Sequence, residues 1–166
     1  MLIDTQEIDF ERLYADNAQA LYGFLAYRTG DRELAHDVLA EAFERALRSR
    51  GRYDSSRASA RTWLYAIALN CLRDRLRRAG SEQRALERVG AGHTAGGVDA
   101  GIARVGDRDQ VRQGLAVLSE EEREAVALRY GGEMTAPEIA ELLGEPLTTV
   151  EGRIYRALRK LRSELE

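Results

Sequence analysis

Seven of the fifteen glycines crowd into residues 80–106, GSEQRALERVGAGHTAGGVDAGIARVG, while the chain on either side repeats its apolar residues every three to four positions. Glycine loses more backbone entropy on folding than any other residue, so such a run interrupts helices and separates cores. No stretch of alternating β-branched residues suggests a sheet. The pattern predicts an all-α chain of two small helical domains, residues 9–79 and 108–166, joined by a flexible linker over 80–107 with at most a helical turn at 82–89. A coil of that length has ends about 30 Å apart on average and about 90 Å apart when taut, so the two domains can act at separate places.

Composition removes several classes of function. With 44% apolar and 32% charged residues, the chain is globular rather than disordered. A single cysteine, Cys71, allows neither an internal disulfide nor a cysteine-rich zinc cluster, and it falls on an apolar helical arc as a core residue. No apolar run approaches the length of about 20 residues that crosses a bilayer, and the N-terminal MLIDTQEIDFER lacks the basic start and apolar core of a signal peptide. A cytoplasmic protein without membrane insertion is expected. The two histidines, His36 and His93, lie far apart in sequence and supply no acid–base or metal set, so neither an enzyme, a cofactor nor a metal is implied.

In the first domain, Asp9 can cap a helix from Phe10 to about Arg28 that Gly30 closes, and Asp31 can start a second helix to about Arg50, stopped by Gly51. Ala35, Val38, Leu39, Ala42, Phe43, Ala46 and Leu47 form the second helix's apolar face. Asp37, Glu41, Glu44 and Arg48 point elsewhere, either as a solvated face or as a docking surface for a basic protein. Although the net charge is −3, it is segregated: residues 31–45 hold five acids and two arginines, residues 57–78 six arginines and one aspartate. Basic strips attract polyanions, and acidic ones meet basic protein surfaces.

Residues 61–78, RTWLYAIALNCLRDRLRR, read as a helix packed on most of its circumference. Trp63, Leu64, Tyr65, Ile67, Ala68, Leu69, Cys71, Leu72 and Leu76 fill a broad arc; Thr62, Ala66, Asn70, Arg73 and Arg77 line the remaining gap. A hydroxyl, an amide and two guanidiniums suit phosphates and base edges. The polar loop 51–59, GRYDSSRAS, leads into this helix. Trp63, at the edge of the arc, can pack in the core or stack on a base.

Past the glycine-rich stretch, Asp107 or Asp109 can start a short helix through Val111, Leu115 and Leu118. Three capping boxes follow: Ser119–Glu122 opening a helix that ends near Gly131 and Gly132, Thr135–Glu138 opening a short helix ended by Gly144, and Thr148–Glu151 opening a last helix. The short helix, tight turn and longer helix make a helix-turn-helix unit. Val150, Ile154, Ala157, Leu158 and Leu161 share one face of its second helix; Thr148, Thr149, Gly152, Arg153, Arg156, Arg159 and Lys160 share the other. Small residues at the start permit close approach to a groove, and the cations behind them reach phosphates or guanine edges.

DRELAHDVLAEAFERAL, then YDSSRASARTWLYAIALNCLRDRLRR, and then LAVLSEEEREAVALRYGGEMTAPEIAELLGEPLTTVEGRIYRALRKL, in this order, closely resemble regions 2 and 4 of the extracytoplasmic-function (group IV) sigma factors of the sigma-70 family. The resemblance spans about three quarters of the chain. It implies a promoter-specificity subunit of RNA polymerase without catalytic activity. Region 2 would melt and read the −10 element through Tyr53, Asp54, Ser55, Ser56, Arg61, Thr62, Asn70, Arg73 and Arg77. Region 4 would enter the −35 major groove through Thr148, Thr149, Arg153, Arg156, Arg159 and Lys160. Asp37, Glu41 and Glu44 would dock on the β′ clamp coiled-coil of bacterial core polymerase, region 4 would pack on the β flap, and an anti-sigma factor would control the protein.

Four positions depart from the family pattern: Ala66 and Leu69 stand where many members carry basic residues, Ala40 where glutamine is common, and Glu151-Gly152 in place of a basic-then-small pair. Two other readings fit the residues. One is an operator-binding regulator that dimerises through its N-terminal helices, the other a decoy that binds only an anti-sigma protein.

Overall fold

The computed structural model describes residues 8–88 and 114–166, and these are helical with no strand among them. The first half folds as α1 (Phe10–Thr29), α2 (Arg32–Arg48), a 3₁₀ turn (Arg50–Arg52) and α3 (Ala60–Arg88). After a helical turn at 114–116 come α4 (Glu120–Val126), a π-helical turn (Ala127–Gly131), α5 (Ala136–Leu143) and α6 (Leu147–Leu165). Helix α3 passes through Gly80 and ends eight residues beyond it, so the sequence's first glycine of the run does not break a helix. The expected linker from 89 to 107 and the helix expected to start at Asp107 or Asp109 lie outside the described residues, apart from 114–116.

Local chemistry accounts for most helix ends. Asp9 accepts a hydrogen bond from Arg12 N, Asp31 from Leu34 N, Ser119 from Glu122 N and Thr135 from Glu138 N. Gly30 and Gly144 close α1 and α5 at φ 65° and 66°, a conformation that costs other L-residues about 1–2 kcal/mol. Of the three expected capping boxes, Thr135–Glu138 alone is reciprocal. In the Ser119 box the Glu122 carboxylate turns to Lys160 instead (2.8 Å). The Thr148 box does not form: α6 starts at Leu147 behind Pro146, whose fixed φ of −60° sets the helix entry without a side-chain cap.

Antiparallel α1 and α2 pack with α3 around Leu21, Phe24, Leu25, Val38, Leu64, Tyr65 and Leu72, all buried. The core continues into the C-terminal half through Leu128, Met134, Ile139 and Val150. Leu47, Leu76 and Leu158, expected inside, are instead 40%, 37% and 40% exposed. The two halves meet where the π-helical turn crosses α1. A Cβ on Gly23 would lie 2.8 Å from the Gly131 carbonyl oxygen, so this crossing tolerates no side chain on either glycine.

Candidate nucleic-acid interface

Helix α3 presents its polar strip much as its periodicity requires. Asn70, Arg73 and Arg77 are exposed, with Arg77 bonded to Asp74 of the preceding turn at 2.7 Å. Thr62 is a correction: it is 6% exposed. Ser59 Oγ accepts from Thr62 N and donates to Thr62 Oγ1, each at 3.1 Å, which ties that hydroxyl into the capped first turn. Leu69 is buried at 3%, so a basic residue there would have had to leave the core; Ala66 is half-buried.

The loop before α3 is ordered by its own side chains. Tyr53 Oη donates to the Ala58 carbonyl at 3.0 Å and its ring lies 5.3 Å from that of Trp63. Trp63 therefore sits between Tyr53 and the apolar core, which favours packing over stacking on a base. Asp54 accepts from Ser56 N (2.9 Å) and Ser56 Oγ (2.6 Å), bonds that hold its carboxyl below the usual range. Ser55 and Ser56 remain exposed at the tip.

Periodicity within α3 did not reveal the pocket at its flank. Asn70 and Ile67 form one wall of a surface pocket of about 180 Å³, and Arg45, Arg48 and Ser49 at the end of α2 form the other. An apolar side chain, an amide and two guanidiniums converge there, a set that can pack on a base face, hydrogen-bond its edge and hold its phosphate. The available signal was the pair of arginines in the last turn of α2, Arg45 and Arg48, which also suit that helix terminus. A larger cleft of about 470 Å³ between the start of α1 and Tyr53 carries Asp9 and Asp16 beside Arg12, a charge set that does not favour a polyanion.

The acidic face of α2 is partly neutralised from within. Arg75 of α3 lies 3.0 Å from Glu41 and 3.6 Å from Asp37, Arg45 lies 2.7 Å from Glu41, and Arg48 pairs with Glu44. Burial disfavours the charge on Glu41, but hydrogen bonds and charge from Arg75 and Arg45 outweigh it and lower its pKa. Asp37 and Glu44 stay exposed, as does Ala40 between them.

On α6, Thr148, Arg156 and Arg159 are exposed and Thr149 and Gly152 half-exposed. The Arg159 guanidinium lies 5.9 Å from the Tyr155 ring centroid. Two of the expected contacts are already engaged inside the C-terminal half: Arg153 with Glu145 and Lys160 with Glu122. Arg61 and Arg73 of α3 likewise face carboxylates, those of Glu138 (3.4 Å) and Glu124 (3.6 Å). The described residues contain no cluster of three or more potential metal ligands and no helix long and apolar enough to cross a membrane.

Two family models match this architecture, Sigma-70 region 2 over residues 13–82 and Sigma-70 region 4 over residues 108–161. The chain belongs to the sigma-70 family. It is 30% identical over 162 residues to the ECF RNA polymerase sigma factor SigK of Mycobacterium tuberculosis, covering 95% of this chain and 86% of that one. It is 32% identical over 148 residues to a probable RNA polymerase sigma-C factor of Mycobacterium bovis, covering 89% and 78%. The first of these relatives places it among the extracytoplasmic-function members. Among solved structures, CnrH in complex with the cytosolic domain of CnrY is similar at TM-score 0.67 and 28% identity, over 94% of this chain and 86% of that one. The sigma factor RpoE bound to the anti-sigma factor NepR from Bartonella quintana shares the fold at TM-score 0.75 and 21% identity, over 95% and 96%. Residues 13–82 thus match region 2 and residues 108–161 region 4.

Proposed function

We propose that this sigma factor opens promoters through the Asn70 pocket and the Arg73–Arg77 strip, with the 53–56 loop beside them, and reads the −35 element through Thr148, Thr149, Arg156 and Arg159. The convergence of Ile67, Asn70, Arg45 and Arg48 on one pocket carries this reading. Unstacking a base costs about a few kcal/mol, so a melting protein needs a seat for the displaced base as well as positive charge. Arg153 and Lys160 join the −35 contact if phosphates displace Glu145 and Glu122. Asp37 and Glu44, with Glu41 held between arginines, form the docking face for the clamp coiled-coil of core polymerase, and region 4 meets the β flap. The protein works in the cytoplasm, and an anti-sigma factor controls it by covering these surfaces; the similar sigma factor RpoE is found in complex with the anti-sigma factor NepR.

Initiation by purified bacterial core polymerase on a matching promoter tests the reading. Replacing Arg73 and Arg77 by alanine is expected to reduce open-complex formation by about tenfold or more while sparing core binding, since one lost base or phosphate contact costs about 1–3 kcal/mol. Exchanging Asp37 and Glu44 for lysine is expected to do the reverse. Equal loss of both activities in the arginine variant, or intact core binding in the lysine variant, would overturn the assignment.

A further inference from the structure

Glu151 is left without a structural task. In the sequence it closes a capping box with Thr148, a role in which its carboxylate would fold back onto the start of the helix. Because α6 begins at Leu147 behind Pro146 and has no side-chain cap, Glu151 stands instead in the second turn, exposed. The residues three and four positions away on α6 are Leu147, Thr148, Ile154 and Tyr155, none of them a cation that could hold it. Among the described residues none pairs with its carboxylate, whereas Glu122, Glu138 and Glu145 of the same half each meet a cation. Its surroundings are the surface assigned to the −35 element. Thr148 and Tyr155, one turn before and one turn after it, are exposed, and Gly152 beside it brings no side chain. Arg156 reaches back over that glycine: a Cβ there would lie 3.1 Å from Arg156 Nη1. Before Glu164, Glu151 is the only acid of α6, against four arginines and a lysine. On a face that meets phosphates a carboxylate weakens binding to every sequence alike, so it is useful there only if it distinguishes one sequence from another.

We infer that Glu151 reads a base of the −35 element and selects cytosine there. The inference rests on the proposed −35 role of α6. An ionised carboxylate only accepts hydrogen bonds, and in the major groove cytosine presents the N4 amine as a donor. Guanine presents two acceptors, N7 and O6, and thymine the O4 acceptor beside a methyl group, so both set lone pairs against the carboxylate. Adenine carries the N6 amine but places the N7 acceptor next to it, an arrangement that an amide matches and a carboxylate does not. The acid therefore gains at one base and loses at three. Arg156, whose guanidinium only donates, has the opposite preference, for the O6 and N7 of guanine. The start of α6 thus holds one group of each kind, a donor fork folded over Gly152 and an acceptor beside it. Gly152 has its own reason in this arrangement, since a side chain at that position would displace the Arg156 guanidinium.

The test uses the full-length chain assembled with bacterial core polymerase and a pool of DNA duplexes randomised through both promoter elements, from which the bound fraction is sequenced. Wild type is expected to prefer cytosine over guanine or thymine at one −35 position by about tenfold or more, as one good base contact commonly gives. Glu151→Gln is expected to move that position to adenine, whose N6 and N7 suit a bidentate amide, and to leave the other positions as they were. Glu151→Ala is expected to lose the preference at that position and to bind unselected duplex more tightly, because a negative charge has gone from the DNA-facing side. Selection that stays unchanged at every −35 position in both variants would overturn the cytosine assignment. So would a uniform loss of binding without a change of preference, which marks a structural role. Arg156→Ala keeps the broader reading separate: loss of selection at a different −35 position shows that α6 reads the element whether or not Glu151 takes part. If wild type selects no −35 base and Arg156→Ala alters nothing, the −35 role of α6 fails and the assignment of Glu151 with it.

Discussion

Glu41 illustrates what a single residue does in a face expected to serve a partner. Its carboxylate sits 23% exposed between Arg75 and Arg45, so folding favours its charged form over the ordinary value of 4.5. A carboxyl whose pKa is lowered by folding adds stability that is present above its unfolded value and disappears as pH falls through its folded one. Glu41→Gln is accordingly expected to melt below wild type at neutral pH, with the two melting temperatures converging as pH falls below about 4.5. A gap that stays constant down the pH series would show that Glu41 contributes through packing. Cys71 is the opposite case: fully buried, its thiol pushed up by burial, it behaves as the small core residue its helical position implied. Its position was legible because burial on a helix follows from period. The partners of Glu41 were not, because Arg75 is 34 residues away and reaches it only through the packing of α3 on α2.

At the level of elements, turns and caps are legible in the sequence where their chemistry is purely local. Asp9, Asp31, Ser119 and Thr135 cap the helices they precede, and Gly30 and Gly144 end theirs. Structure departs from sequence pattern where two local signals compete. Thr148 has a capping residue's identity, yet Pro146 starts the helix two residues earlier, and the threonine becomes part of its first turn. The consequence is measurable: Thr135→Ala is expected to destabilise the C-terminal half by about 1 kcal/mol, whereas Thr148→Ala is expected to stay within about 0.5 kcal/mol of wild type. Denaturant unfolding separates the two, and equal losses would restore Thr148 as a cap. Thr62 was missed for a related reason, since helical phase placed it on the polar strip while Ser59 drew its hydroxyl inward.

For the whole molecule, the decisive question is what holds regions 2 and 4 together. Three ion pairs cross the contact, but Glu120 is 69% and Arg73 58% exposed, and exposed pairs are worth about 0–1 kcal/mol each. The buried residues of the contact, Leu128, Met134 and Ile139, belong to the same core as Leu21 and Phe24, and full burial of one such side chain is worth about 1.5–3 kcal/mol. Apolar packing around the Gly23–Gly131 crossing thus outweighs the charges. The free protein is expected to stay compact when salt is raised from about 0.1 M to about 1 M, although the Debye length shrinks from about 10 Å to about 3 Å. A marked rise in its radius of gyration over that range would mean that the ion pairs are the main link.

The sequence by itself determined the all-helical fold, most helix ends, the two matched regions and the faces that carry acidic, basic and apolar residues. All of these depend on spacing and on contacts within a few residues. It also held enough of the family's pattern to indicate a sigma factor. Only the tertiary structure decided how the charged residues are engaged: Arg61, Arg73, Arg153 and Lys160 each meet a carboxylate, and Arg45 and Arg48, themselves paired with Glu41 and Glu44, share a pocket with Asn70. The Arg61 and Arg73 partners lie across the meeting of two regions, and the pocket across two helices. Helical period assigns a side chain to a face, but its partner is fixed by what packs against that face, and here two backbones meeting at Gly23 and Gly131 set that arrangement.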